Sequence, residues 1–188
     1  MVENVNLKVV CCTDTSGCCR PVQSDTTQRR KIEIEFLYLD LSVCTRCQGA
    51  DDSLDEAIAE VSQILKATDV DVVVNKINVT DEKQAEALQF ESSPTIRVNG
   101  RDIQLEIRES LCESCGDLCG DEVDCRVWIY HGKEYTSPPK AMIIEAILRE
   151  VYGSSDKQEL NKRTYRLPDN LRKFFASIRA KQGANKSG

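Results

Sequence analysis

A chain of 188 residues with 40% hydrophobic content has the material for one domain of ordinary size with a real core. Its net charge of −6 argues against a general nucleic-acid binder, which needs a basic surface to meet phosphates. No run approaches the roughly 18 apolar residues of a membrane helix, which excludes a spanning segment of that kind.

The charge is uneven. Residues 154–188 hold nine Lys/Arg against three Asp/Glu, which leaves residues 1–153 with 16 basic and 28 acidic side chains. The start, Met1 to Asn6, has an acid where a signal peptide wants basic charge, so the expected location is cytoplasmic. Ten cysteines are then the anomaly. In a reducing compartment such a number points to metal binding or redox chemistry rather than to a disulfide framework. They are clustered, as multidentate chemistry requires.

Residues 1–30 are polar and carry Cys11-Cys12 and Cys18-Cys19, and they read as a flexible arm. Lys31 to Leu39 alternates early and then turns continuously apolar, which predicts a strand entering a covered sheet. Cys44-Thr45-Arg46-Cys47 follows. Ser53 and Glu56 form a capping box, which predicts a helix opening at Ser53 and running through Ala57, Ile58, Val61, Ile64 and Leu65. On that reading the C-x-x-C lies in a loop, short of the helix. Val70 to Val79 predicts a second strand, and Thr80 to Phe90 a shorter helix.

Ser93-Pro94 leads into two alternating runs joined by Asn99-Gly100, which predicts a hairpin ending near Leu105. The second cysteine cluster comes next, then a hairpin from Arg126 to Tyr135 turning at His131-Gly132. Pro138-Pro139 introduces a helix carrying Met142, Ile143, Ala146, Ile147 and Val151. The tail has a short helix signal from Asn170 to Arg179. The expected organisation is an arm at 1–30, a domain at 31–153 with a Cys-rich insert at 106–138, and a basic tail at 154–188.

The order strand, C-x-x-C, helix, strand, helix, Ser-Pro, hairpin, helix resembles the thioredoxin-like superfamily over Lys31 to Leu105 plus the helix near Lys140 to Tyr152. The resemblance implies an α/β fold: a mixed four-stranded sheet flanked by helices, with the Cys-rich insert and hairpin before the last core helix. It also implies a cis Pro94 facing the C-x-x-C. More narrowly, the downstream cysteines followed by Arg126-Val127-Trp128 and Gly132-Lys133-Glu134-Tyr135 resemble an uncharacterised prokaryotic family of thioredoxin-like proteins. That likeness implies a fold and no activity.

Two functions follow. The first is a thiol–disulfide oxidoreductase acting on protein or small-molecule thiols and disulfides. Cys44 attacks, Cys47 resolves, Pro94 shapes the substrate groove, and Arg46 favours the thiolate. The second is a protein that binds a soft metal or metalloid ion. Cys112, Cys115, Cys119 and Cys125 place four thiols within fourteen positions, among Glu109, Glu113, Asp117, Asp121, Glu122 and Asp124. Carboxylates disfavour lone thiolates, whereas a bound cation deprotonates them outright. Four thiolates suit zinc or an iron–sulfur cluster. Cys11, Cys12, Cys18 and Cys19 suit a soft ion too, because a disulfide between adjacent cysteines is strained.

Topology adds a link. The first strand and the chain after Leu105 reach the same end of the sheet, so Cys112 and Cys115 are expected near Cys44 and Cys47. His131, the single histidine, sits at a turn and has no catalytic role. Trp128 and Tyr130 are expected to pack against the cysteine region. The basic tail is expected to dock on the acidic body or on an acidic partner, or to be simply a solvated face, the commoner use of such a run.

Overall fold

β1 spans Arg30–Tyr38 in the computed structural model, which describes residues 29–153 and 165–184. Ile32, Ile34 and Phe36 alternate onto one buried face, and Leu37 and Leu39 are buried in a second core. That switch explains the change from alternating to continuous apolar sequence. β2 (Val70–Asn78) pairs parallel with β1, β3 (Thr95–Val98) pairs antiparallel with it, and β4 (Arg101–Asp102) closes the order β2-β1-β3-β4. The last strand is two residues long and stops before Leu105, which is exposed.

α1 covers Thr45–Ala67 and therefore opens eight residues before the expected start at Ser53. The capping box misled because Cys44 is the N-cap, its sulfur accepting a hydrogen bond from the Cys47 N–H. The buried stripe Cys47, Ala50, Leu54, Ala57, Val61 and Leu65 keeps the three-and-four spacing of one helix face from the first turn onward. α2 (Glu82–Ala87) and α4 (Lys140–Tyr152) lie close to where the sequence places them. α1 and α4 pack together over the core of Ile34, Phe36, Leu54, Ile143 and Ile147.

Between β4 and α4 the insert builds a second sheet of order β5-β6-β7, from β5 (Arg108–Leu111), β6 (Asp124–Tyr130) and β7 (Lys133–Tyr135). α3 (Glu113–Cys119) bridges β5 and β6. The β3–β4 and β6–β7 turns put Asn99-Gly100 and His131-Gly132 at positive φ, the pair of angles a tight two-residue hairpin needs. Trp128 lies in the α1/α4 core rather than with the cysteines, because the even-numbered positions of β6 face that way.

α5 (Asp169–Ala184) docks on the acidic body, against α3 and α2. Lys173 pairs with Asp121 at 2.9 Å and Arg179 with Glu82 at 3.0 Å, while Lys181 Nζ donates to the carbonyls of Asp117 and Leu118. Buried Leu171, Phe174 and Phe175 hold it. Each contributes roughly 1.5–3 kcal/mol, so apolar burial outweighs the solvent-screened ion pairs in holding the helix. Among the described residues no helix is long and apolar enough to cross a membrane.

Candidate metal centre

All six cysteines of the described residues are free thiols and all are buried. Two helix N-termini and one strand converge on four of them. Cys44 caps α1, Cys112 caps α3, Cys115 lies in the first turn of α3, and Cys125 is on β6. The sulfurs of Cys44, Cys112, Cys115 and Cys125 all lie within 4.8 Å of one another. Cys44 and Cys112 are 4.0 Å apart and Cys115 and Cys125 are 3.4 Å apart. A tetrahedral ion bonded to sulfur at about 2.3 Å holds its thiolates roughly 3.8 Å from one another. The group can therefore hold a metal ion with small adjustments.

The electrostatics divide the thiols. Cys44 is pulled far below the ordinary thiol range, first by its interaction with the Cys112 thiol and then by those with Cys115, Cys125 and Cys47, against the opposing effect of burial. Cys112 is lowered to about 7, chiefly by the Cys115 thiol. Cys115 and Cys125 are pushed up, first by their interaction with Cys112 and then by Cys44 and burial, with Cys115 raising Cys125 further while Cys125 partly offsets the rise at Cys115. Cys47 is also pushed up, by its hydrogen bond to Cys44 and by burial. The two lowered thiols, Cys44 and Cys112, are those that precede helix N-termini, where first-turn N–H groups favour negative charge. An ion entering this group displaces the remaining protons.

Cys47 and Cys119 are buried nearby but outside the group. The Cys47 sulfur is 3.5 Å from Ser93 Oγ, which also accepts the N–H of Leu39 at 3.2 Å. The Ser93–Pro94 peptide is cis. The Cys119 thiol donates to the carbonyls of Gly116 and Asp121 at 3.8 and 3.5 Å. The expected quartet of Cys112, Cys115, Cys119 and Cys125 is thus regrouped: Cys44 stands where the spacing alone suggested Cys119. The reason is helical geometry. Cys115 and Cys119 share a helix face, but Cys119 lies a full turn further from the α3 N-terminus where Cys112 and Cys44 meet. Cys11, Cys12, Cys18 and Cys19 lie outside the described residues.

Two arginines fix the arrangement. Arg46, inside the C-x-x-C, reaches across to the insert and donates to the carbonyls of Ser110 (3.2 Å), Leu111 (2.6 Å) and Cys125 (3.0 Å). Arg126, next to Cys125, is fully buried on the other side of β6. Its guanidinium donates to both carboxylate oxygens of Asp102 at 3.1 and 2.8 Å and to Thr95 Oγ1 at 3.2 Å, and it lies 5.0 Å from the centre of the Trp128 ring. The main-chain N–H of Arg126 donates to the Ser93 carbonyl at 2.7 Å. The insert is thereby tied to the segment that carries Pro94. The sequence marked Arg126 as part of a family resemblance but gave it no role. The available signal was a lone charge inside the apolar run Cys125 to Tyr130, which a buried strand tolerates only with a partner.

The family model described as "Domain of unknown function (DUF2703)" matches residues 32–147. The chain belongs to the DUF2703 family. The match takes in β1 through most of α4, and with them all four grouped cysteines. Comparisons of this DUF2703 protein with curated proteins and with solved structures gave no match.

Proposed function

We propose that this protein binds one thiophilic metal ion, zinc in the first place, in a tetrathiolate centre that joins a thioredoxin-like core to its Cys-rich insert. The observation that carries the reading is the mutual approach of four buried sulfurs within 4.8 Å, from residues 68 or more positions apart between Cys44 and the insert. Four sulfur ligands in a compact set suit a tetrahedral ion. An iron–sulfur cluster interposes an inorganic core and needs its cysteines further apart. With four protein ligands and each sulfur's residue at most 2% exposed, the centre is of the closed kind and does not offer an open position to substrate. The thioredoxin-like reading of the core is supported by the order β2-β1-β3-β4, by the C-x-x-C at the start of α1, and by Ser93 against Cys47. A cytoplasmic setting, where thiols stay reduced, fits six free cysteines.

The test is metal content by mass spectrometry after anaerobic purification, in a chain carrying Cys11→Ser, Cys12→Ser, Cys18→Ser and Cys19→Ser so that the arm contributes no ligands. One equivalent is expected, lost in Cys112→Ser or Cys125→Ser and kept in Cys119→Ser. A metal-free protein that takes up no zinc at micromolar concentration overturns the reading.

A second reading, thiol–disulfide exchange by Cys44 and Cys47, is favoured by one contact. The Cys47 N–H donates to the Cys44 sulfur at 3.4 Å, which stabilises the attacking thiolate. Cys44 is fully buried beneath the insert, so a protein disulfide reaches it only after the insert moves. Insulin reduction no faster than that of the Cys44→Ser, Cys47→Ser protein removes this reading.

A further inference from the structure

We propose that Cys44 has two mutually exclusive partners, the metal ion in the reduced protein and Cys47 in the oxidised one, so that two-electron oxidation by a hydroperoxide ejects the ion. The inference rests on the tetrathiolate reading.

Among the described residues Cys47 is the one thiol that sits beside Cys44 without belonging to the group. It lies against Cys44 in the first turn of α1, with two residues between them, the spacing that closes a small disulfide ring. The remaining buried thiol, Cys119, makes its contacts with main-chain carbonyls. A disulfide between two members of the group removes two ligands from the ion. A Cys44–Cys47 disulfide removes one, so it disturbs the bound state least on the way to release. What is left is Cys112, Cys115 and Cys125, all on the insert, and a fourth corner with no ligand.

Access is suited to a small oxidant. The centre is buried but lies just under the surface, since Val43 beside Cys44 and Leu111 beside Cys112 are 44% and 54% exposed. In the reaction the Cys44 sulfur attacks one peroxide oxygen and the O–O bond breaks. Hydroxide leaves, and Cys44 becomes a sulfenic acid. The Cys47 sulfur then attacks the Cys44 sulfur, the S–O bond breaks, and the disulfide forms. Two sulfurs lose one electron each, and hydrogen peroxide is reduced to two waters. The Cys47 proton and one proton from solvent complete those waters.

The experiment uses the full-length, zinc-loaded protein with hydrogen peroxide and a colorimetric zinc chelator, followed by peptide mapping without reduction. Metal content is measured before the oxidant is added. The wild type is expected to release its ion while Cys44 and Cys47 become joined, and to rebind zinc after dithiothreitol. Cys47→Ser and Cys47→Ala keep the four ligands. They are expected to start loaded and to release at least about tenfold more slowly, because a sulfenic acid with no neighbouring thiol resolves only through a ligand. Equal release rates in loaded wild type and Cys47 variants overturn the inference and leave the tetrathiolate centre standing. So does a map that joins two members of the group, such as Cys115 and Cys125. A protein that holds no zinc before the peroxide overturns the centre and this inference together.

Discussion

Replacing Arg46 by methionine removes the guanidinium while keeping most of the side chain's volume and its apolar stem. Three hydrogen bonds to main-chain carbonyls disappear. The carbonyls of Ser110 and Leu111 sit on an exposed strand and regain water, so each bond contributes about 0.5 kcal/mol. The carbonyl of Cys125 belongs to a buried residue and is left without that donor, at a cost of about 1–2 kcal/mol. The sum is about 2–3 kcal/mol. If the insert closes on α1 only when metal is bound, the whole sum falls on affinity, a weakening of roughly 30- to 150-fold in Kd. If the clamp is already formed without metal, the loss falls on folding stability instead. Zinc competition against a chelator of known affinity, run beside urea unfolding of the metal-free protein, separates the two. An Arg46→Lys variant should fall between, since a single ammonium cannot span three acceptors as a planar fork does. Unchanged affinity together with an unchanged unfolding midpoint in Arg46→Met would refute the claim that Arg46 clamps the centre.

Two further outcomes follow from the structure. A Cβ added at Gly49 would collide with the Ser137 hydroxyl and lie 3.0 Å from its Cβ. Gly49→Ala is therefore expected to lose about 1–2 kcal/mol after its gain in helix propensity, and adding Ser137→Gly should recover most of that in denaturant unfolding. Burial raises the Glu109 carboxyl above its ordinary 4.5, despite donors from Ser92 at 2.7 Å and Asn170 at 3.3 Å. A raised folded-state value means the group's favourable contribution is present below 4.5 and is lost as pH climbs through the raised value. Glu109→Gln keeps an acceptor for both donors, so its unfolding midpoint should exceed that of the wild type at pH 7, with the gap closing towards pH 4. A gap that widens on acidification would contradict this.

The elements that sequence defined well are those whose own apolar spacing matches their burial. β1, β2 and α4 carry their burial pattern in the spacing of their own apolar residues, and both Asn99-Gly100 and His131-Gly132 announce their turns by residue type. The start of α1 was misplaced because a local signal, Ser53 with Glu56, competed with the real cap, a cysteine. Cysteine as an N-cap is invisible to rules built on oxygen acceptors. The stripe from Cys47 to Leu65 was present throughout and was the better guide. The centre was half legible for a similar reason. Spacing inside the insert proposed Cys119, but which thiol completes the group depends on where α1 and α3 point, and that is set by packing between distant segments. Topology did bring Cys112 and Cys115 to Cys44, because strand direction can be followed along the chain. Arg126 was quoted only as part of a resemblance, because its role lies in Asp102, Thr95 and Trp128, and the first two of these sit more than twenty positions away.

β6 presents two incompatible chemistries on its two sides. Cys125 faces the thiols, and Arg126 faces Asp102. Side chains on a strand alternate, so a slip of one residue against β5 exchanges the two faces. It would carry a guanidinium in among the four grouped thiols and turn a thiol towards a carboxylate. An ion can bind the correctly paired strand and is repelled by the shifted one. On the tetrathiolate reading its binding free energy would go wholly to one pairing, and a bound metal would act as a proofreader of strand alignment while the insert folds.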